Sequence, residues 1–196
     1  MRRGGLRRPP PTWQTLWMSL WVIVCASIPA AAARADMEPT QRRECELKAA
    51  FIYNFTKFIE WPPRSFADGN APFVIGIVGN SPCTGVLESM VEQRRVGERR
   101  IEVHPVRSAA ELLSVQLLYV GAGEEQALTT WSGRIDSLPL VTVGESPEFA
   151  SGGGAITLRR QDDKVRFEIN VRSAEHSGVK LSSQLLKLAM AVRRES

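Results

Sequence analysis

The chain has 196 residues and a formal charge of +4, from 25 Lys and Arg against 21 Asp and Glu. Five arginines, Arg2, Arg3, Arg7, Arg8 and Arg34, lie in the first 35 residues, which carry no acid, so the rest of the chain stands at 20 bases against 21 acids. The basic balance belongs to that first segment, and the charge gives no support to a nucleic-acid-binding class.

The first 35 residues have the layout of a cleavable secretory signal. The four leading arginines are followed by an apolar stretch from Trp13 to Ile28, and then by the small residues Ala30 to Ala33 with Ala33-x-Ala35 as a cleavage site and Asp36 as the new N-terminus. The stretch is shorter than a span of about 20 residues and is broken by Ser and Pro, so an uncleaved anchor ranks second. Bulky Val24 precedes Cys25, where a lipid-acceptor signal carries a small residue. The expected organisation is a signal peptide over 1–35 and one α/β domain over 36–196, located in the periplasm.

From there the elements follow in order. Leu47, Phe51, Ile52, Phe55, Phe58 and Ile59 recur at three- and four-residue spacing and predict an amphipathic helix over 44–60, ended by Trp61-Pro62-Pro63. The apolar run 73–79 predicts a buried strand, a helix follows through Val86 to Val91, and 100–106 alternates as a strand does. Ser108 and Glu111 fit the capping box of a short helix over 108–113. A strand at 117–120, a helix over 124–131 and a strand at 140–143 complete an alternation that signals a mainly parallel sheet. Residues 155–158 and 165–171 flank the polar turn 161–164 and predict an antiparallel hairpin. Ser182-Ser183 caps a last helix predicted to run through Leu185, Leu186, Leu188, Ala189 and Val192. The fold class is therefore α/β, a single compact domain with a mainly parallel sheet and an antiparallel C-terminal hairpin, flanked by helices.

Two cysteines follow the signal, Cys45 and Cys83. A helix of about 16 residues rises about 24 Å, close to the span of a seven-residue strand. If the first helix runs back along the first strand, Cys45 and Cys83 meet at one end, and a disulfide competes with two unpaired thiols. His104 and His176 have no Cys or His at ligand spacing, so no metal site is expected.

Signatures of catalysis are weak. Gly76 and Gly79 lack the third glycine of a dinucleotide fingerprint, and Gly152-Gly153-Gly154 reads as a tight turn before a strand. Ser177 and Lys180 match Ser-x-x-Lys, with none of the companion motifs of that enzyme class. Two clusters suit recognition instead. Tyr53, Phe58, Trp61 and Phe66 gather aromatic area, with Trp61 and Phe66 in a Pro-rich loop. On the strand 166–170, Arg166, Glu168 and Asn170 share one face while Phe167 and Ile169 share the other.

Lys48 to Pro62 (KAAFIYNFTKFIEWP), the strand 73–79, VTVGESPEF at 141–149 with Gly152-Gly153, RFEIN at 166–170 and KLSSQLLKLA at 180–189 together resemble the YfiR family of bacterial exported proteins, over nearly the whole chain after the signal. The resemblance implies a periplasmic regulator, not an enzyme. Such a regulator represses an inner-membrane diguanylate cyclase through its periplasmic sensor domain and so limits cyclic di-GMP, biofilm and exopolysaccharide. It also implies a homodimer, no cofactor, and in some systems an outer-membrane peptidoglycan-binding lipoprotein as second partner. The partner-binding residues expected here are Glu168, Arg166 and Asn170 with the adjacent final helix, and Trp61. Some relatives carry further cysteines, whereas this chain has none after Cys83 and has Val115-Gln116 where many relatives have Cys-His. A small-molecule-binding module, with its ligand at the carboxyl ends of the parallel strands, is the alternative.

Overall fold

The computed structural model describes residues 37–162 and 164–194; the expected signal peptide lies outside the described residues. Helix α1 (Pro39–Phe58) begins five residues before the periodicity predicts, with proline in its first turn, where a missing N–H costs nothing. It ends as Ile59 becomes extended ahead of Trp61-Pro62-Pro63. Ile59–Glu60 forms β1, paired antiparallel with β9 (Lys180–Leu181) in a small separate sheet.

The main sheet has eight strands. They are β2 (Phe73–Val78), β3 (Arg95–Val96), β4 (Arg99–Pro105), β5 (Leu117–Val120), β6 (Val141–Gly144), β7 (Ile156–Gln161), β8 (Lys164–Asn170) and β10 (Ala191–Arg193), in the spatial order β10-β8-β7-β6-β5-β2-β4-β3. Pairing is parallel from β4 through β2, β5 and β6 to β7, then antiparallel across the β7–β8 hairpin, as the fold class expected. The hairpin turns at Asp162, whose φ of 49° is left-handed, with Gln161 opposite Lys164.

Helices α2 (Thr84–Val91), α3 (Gln126–Ile135), α4 (Pro147–Ser151), α5 (Val171–His176) and α6 (Ser183–Leu188) complete the domain. Because strand side chains alternate, β2 serves two cores. Phe73, Ile75 and Ile77 join Leu117, Val141, Ile156, Phe167 and Ile169 under α1. There the Phe51 and Phe55 rings meet Phe167 edge-on, with centroids 5.6 and 5.1 Å away. Val74 and Val78 join Leu118, Val120, Leu128 and Phe149 on the opposite face. Phe149 is wholly buried, and a Cβ on Gly144 or Gly154 would lie 2.3 or 2.0 Å from its ring. The Gly152-Gly153-Gly154 stretch is a turn before β7, as expected, with Gly153 at φ +89°.

Three expectations are corrected. The short helix over 108–113 is instead a 3-10 turn at Glu111–Ser114. The capping box does not form: Ser108 Oγ donates to Glu111 Oε1 at 3.0 Å and Arg107 N, not Ser108 N, donates to Glu111 Oε2 at 2.9 Å, while Glu111 N bonds to the Ser108 carbonyl. Val115 is already extended, so too few residues remain before β5 for an α-helical ladder. The last helix does not reach Val192. It stops at Leu188, and Ala191–Arg193 adds to β8, with Met190 N donating to Phe167 O at 2.8 Å. The open sheet edge, which supplies partners for backbone groups, outweighs a modest helical preference. Val171 belongs to α5 rather than to the strand before it, because Asn170 Oδ1 accepts from Ser173 N and starts a helix there.

Candidate functional site

The polar stripe expected on β8 lies on the sheet face opposite α1. Register sets its neighbours: Thr157 and Ala191 flank Glu168, Arg159 lies opposite Arg166, and Arg193 lies beside Asn170. The apolar core of this face draws on β2, β5, α3 and α4 and takes no residue from β7, β8 or β10. The stripe therefore stands beyond the core on a polar half-sheet. Glu168 accepts from Arg193 Nη2 through Oε2, and its Oε1 lies 3.5 Å from Arg159 Nε. Its side chain is only 15% exposed, screened by the two guanidinium groups. Arg166 is exposed and, among the described residues, makes no ion pair or hydrogen bond. Asn170 is committed to its cap on α5.

An open cavity of about 720 Å³ adjoins the stripe between α3, the Gly152-Gly153 turn, α5 and β10. Asn170 and Arg193 belong to both, while Arg172, His176 and Asp136 line the walls farther out.

Trp61 is elsewhere. It is half-buried on the α1 face, edge-on to Phe73 with centroids 5.2 Å apart, and its Nε1 is buried without a hydrogen-bond partner. Phe66 also packs on Phe73, with the Arg99 guanidinium 3.8 Å over its ring. Strand β2 is four positions from β8 in the sheet, about 19 Å at the usual spacing. Trp61 and the stripe are thus two separate surfaces. The final helix also sits on the α1 side, through Leu185, and β10 is the element that borders the stripe.

At the carboxyl ends of β2, β5 and β6, where open α/β sheets usually hold ligands, α1 fills the crevice. A disulfide joins Cys45 of α1 to Cys83 before α2. Lys48 Nζ donates to Glu145 Oε2 at 2.7 Å and pairs with Glu44 at 2.7 Å, while Tyr119 donates its hydroxyl to Glu145 Oε1. The space left among Lys48, Ile77, Ser81 and Tyr119 is about 10 Å³, no more than one water. Burial pulls the Lys48 ammonium down, but its bonds to Glu145 and Glu44 prevail and raise it above its ordinary 10.5. Burial and then the Glu145 charge push the Tyr119 phenol well above its ordinary 10.0. Both groups hold their protons more tightly when folded, so their contribution is present below pH 10 and is lost as pH rises through the folded values. A thermal midpoint that declines above about pH 10, and declines less in Tyr119→Phe, is the expected result; a midpoint flat to pH 12 would contradict it.

Ser177 is buried and donates to Ala174 O at 2.7 Å, closing α5, while Lys180 faces outward on β9 opposite Glu60. The two are held in structural roles rather than aimed at one another. Among the described residues no group of three His, Cys, Asp or Glu side chains gathers as a metal site, and no helix is long and apolar enough to cross a membrane. Gln116 is buried and bridges backbone, accepting from Val74 N at 2.7 Å and donating to Ser65 O at 2.5 Å.

Arg159, Arg193 and the Lys48–Glu145 pair escaped the sequence reading. The two-residue turn between Gln161 and Lys164 fixes the register and would have placed Arg159 opposite Arg166. Nothing in the sequence marks Arg193, which reads as the end of a helix.

Fold and stripe together define an α/β domain whose distinctive polar groups lie on an open sheet surface and not in a deep crevice. Residues 45–190 match the model of the YfiR/HmsC-like family, and the chain belongs to that family. No curated protein matches the chain by sequence. Among solved structures it is similar to an ABC domain in complex with L-Trp from Streptococcus pneumonia, at 13% identity and a TM-score of 0.49. It is likewise similar to a conserved domain protein from Vibrio cholerae O1 biovar El Tor, at 11% identity and a TM-score of 0.48. Each likeness covers 76% of this chain and 60% of the other protein.

Proposed function

We propose that the chain is a periplasmic regulator that represses an inner-membrane diguanylate cyclase by binding its periplasmic sensor domain, which limits cyclic di-GMP and with it biofilm and exopolysaccharide. The observation that carries this reading is the family match across residues 45–190. The exposed polar half-sheet supports it, because a repressor needs a surface that grips a partner and releases it for a few kcal/mol of differential affinity. In this reading the protein is exported and homodimeric, and an outer-membrane peptidoglycan-binding lipoprotein sequesters it where one is present. For the small-molecule alternative, α1 and the disulfide occupy the crevice at the carboxyl ends of β2 and β5, and what remains is an open cavity of about 560 Å³ at the ends of β2 and β4, lined by Gly79, Asn80, Pro105, Arg107 and Glu124.

Intracellular cyclic di-GMP rises in a clean deletion and returns on complementation with wild type. Glu168→Ala, exported to the same level, does not restore it. Truncating one member of a charge group that a partner covers on binding costs about 2 kcal/mol or more of affinity, roughly thirty-fold. A deletion that leaves cyclic di-GMP unchanged sinks the repressor assignment.

A further inference from the structure

We infer that the β7–β8–β10 face receives an acidic segment of a protein partner, held by Arg166, Arg193 and Arg159, with Glu168 as the residue that positions Arg193 and Arg159. The inference rests on the repressor reading and specifies its chemistry.

Glu168 is the obvious candidate for direct recognition, being the one carboxylate in the stripe. Its surroundings assign it another task. Both its oxygens face guanidinium groups, Oε2 bonded to Arg193 and Oε1 beside Arg159, and little of the side chain reaches solvent. Its charge is spent within the protein. What the face offers outward is the remainder of the two guanidinium groups that hold this carboxylate, together with Arg166 on the same strand face.

Two of those groups have capacity left. Arg166 is exposed and makes no ion pair or hydrogen bond among the described residues. Arg159 Nε is buried and tied to Glu168 Oε1 only by a long ion pair of 3.5 Å without a hydrogen bond, and the side chain is 28% exposed. Arg159 and Arg166 are also directly opposite across the hairpin, an arrangement of like charges that costs stability in the free protein. An acidic ligand turns that cost into binding.

The chain as a whole is almost neutral after its first 35 residues, so this is a local concentration and not a general basicity of the kind that tracks nucleic acid or membrane. Guanidinium groups are planar forks that hold carboxylates through two parallel bonds, which makes side chains of Asp and Glu their natural complement. The neighbouring cavity extends the same character. Among the described residues, His176 lines it with Arg193, and Asp136 is the acid on its wall. At about 720 Å³ it has room for side chains of the docked segment.

The test uses the purified exported chain and the purified periplasmic domain of the cyclase, with affinity measured by calorimetry at about 50 and about 300 mM NaCl. Wild type binds, and binding weakens about ten-fold over that range, as screening shortens the reach of the arginines. The double variant Arg166→Glu, Arg193→Glu loses roughly thirty-fold or more. Its melting curve is recorded alongside, and Arg166→Glu alone serves as the variant least able to disturb the fold, because that side chain is exposed. Glu168→Gln loses affinity yet keeps a salt dependence, as expected of a positioning residue whose arginines remain. Replacing an acid of the sensor domain by Lys restores binding to Arg166→Glu.

If wild type binds and the folded reversal variants bind equally well, insensitive to salt, this inference is overturned while the repressor reading stands. If wild type does not bind the domain at all, both fall. Retention of wild type, but not the reversal variant, on phosphatidylglycerol vesicles without any sensor-domain binding would overturn the inference in favour of a lipid surface.

Discussion

Removing the Cys45–Cys83 bridge with the double substitution Cys45→Ala, Cys83→Ala is expected to cost about 4 kcal/mol of stability and lower the thermal midpoint by roughly 10 °C. The bridge closes a loop of sequence separation 38, and in the chain-entropy model a loop of that length restricts the unfolded chain by that amount. The native side of the balance is also affected. Cys45 is 1% exposed, packed on the buried face of α1, so its replacement removes contacts as well as a crosslink. Replacing both residues avoids a stray thiol. Scanning calorimetry of wild type with and without reductant should give the same direction. A midpoint within about 2 °C of wild type in the double variant would mean that α1 is held by its aromatic face and by Lys48 alone.

Phe149→Ala is the second large effect, about 3–5 kcal/mol. The ring has no exposed surface and stands between Gly144 and Gly154, whose missing side chains make the space that it fills. It is placed by a cap, since Phe149 N donates to Ser146 Oγ at 3.0 Å, and its own carbonyl accepts from Gly154 N at 3.0 Å. Truncation leaves a cavity that two glycines cannot collapse to fill, because neither has a side chain to rotate inward. The Gly152-Gly153 turn also borders the cavity beside the stripe. Urea unfolding measures the loss, and Phe149→Leu, which keeps most of the volume, should cost distinctly less. A Phe149→Ala protein less than about 1 kcal/mol below wild type would show that the clamp is looser than the packing indicates.

The parts of the fold that could be read from the sequence are those where one local force dominates. β2 and β5 are buried at every position, and a short apolar run between turns has few other fates. The apolar spacing of α1 and the alternation of β8 give their faces directly. What could not be read was decided by distant partners. Residues 191–193 carry no strong strand signal, and they become a strand because the free edge of β8 is there to be joined. Asn170 looks like the end of a strand, and only its side-chain bond to Ser173 N shows that α5 begins there. The stripe was visible as Arg166, Glu168 and Asn170, because strand alternation needs no tertiary knowledge. Its character was not, because the two arginines that pair with Glu168 arrive from the strands on either side of β8, Arg159 from β7 and Arg193 from β10, which reads as helix.

The packing of α1 has a consequence for the order in which the chain assembles. Phe51 and Phe55 lie against Phe167, more than a hundred residues later, and Lys48 against Glu145. A chain delivered from its N-terminus presents this aromatic helix early and has nowhere to bury it until the last hairpin arrives. Long loop closures of this kind slow folding. The early link to Cys83, only 38 residues on, tethers α1 to the segment between β2 and α2 while it waits, and so shortens the search that the hairpin must complete.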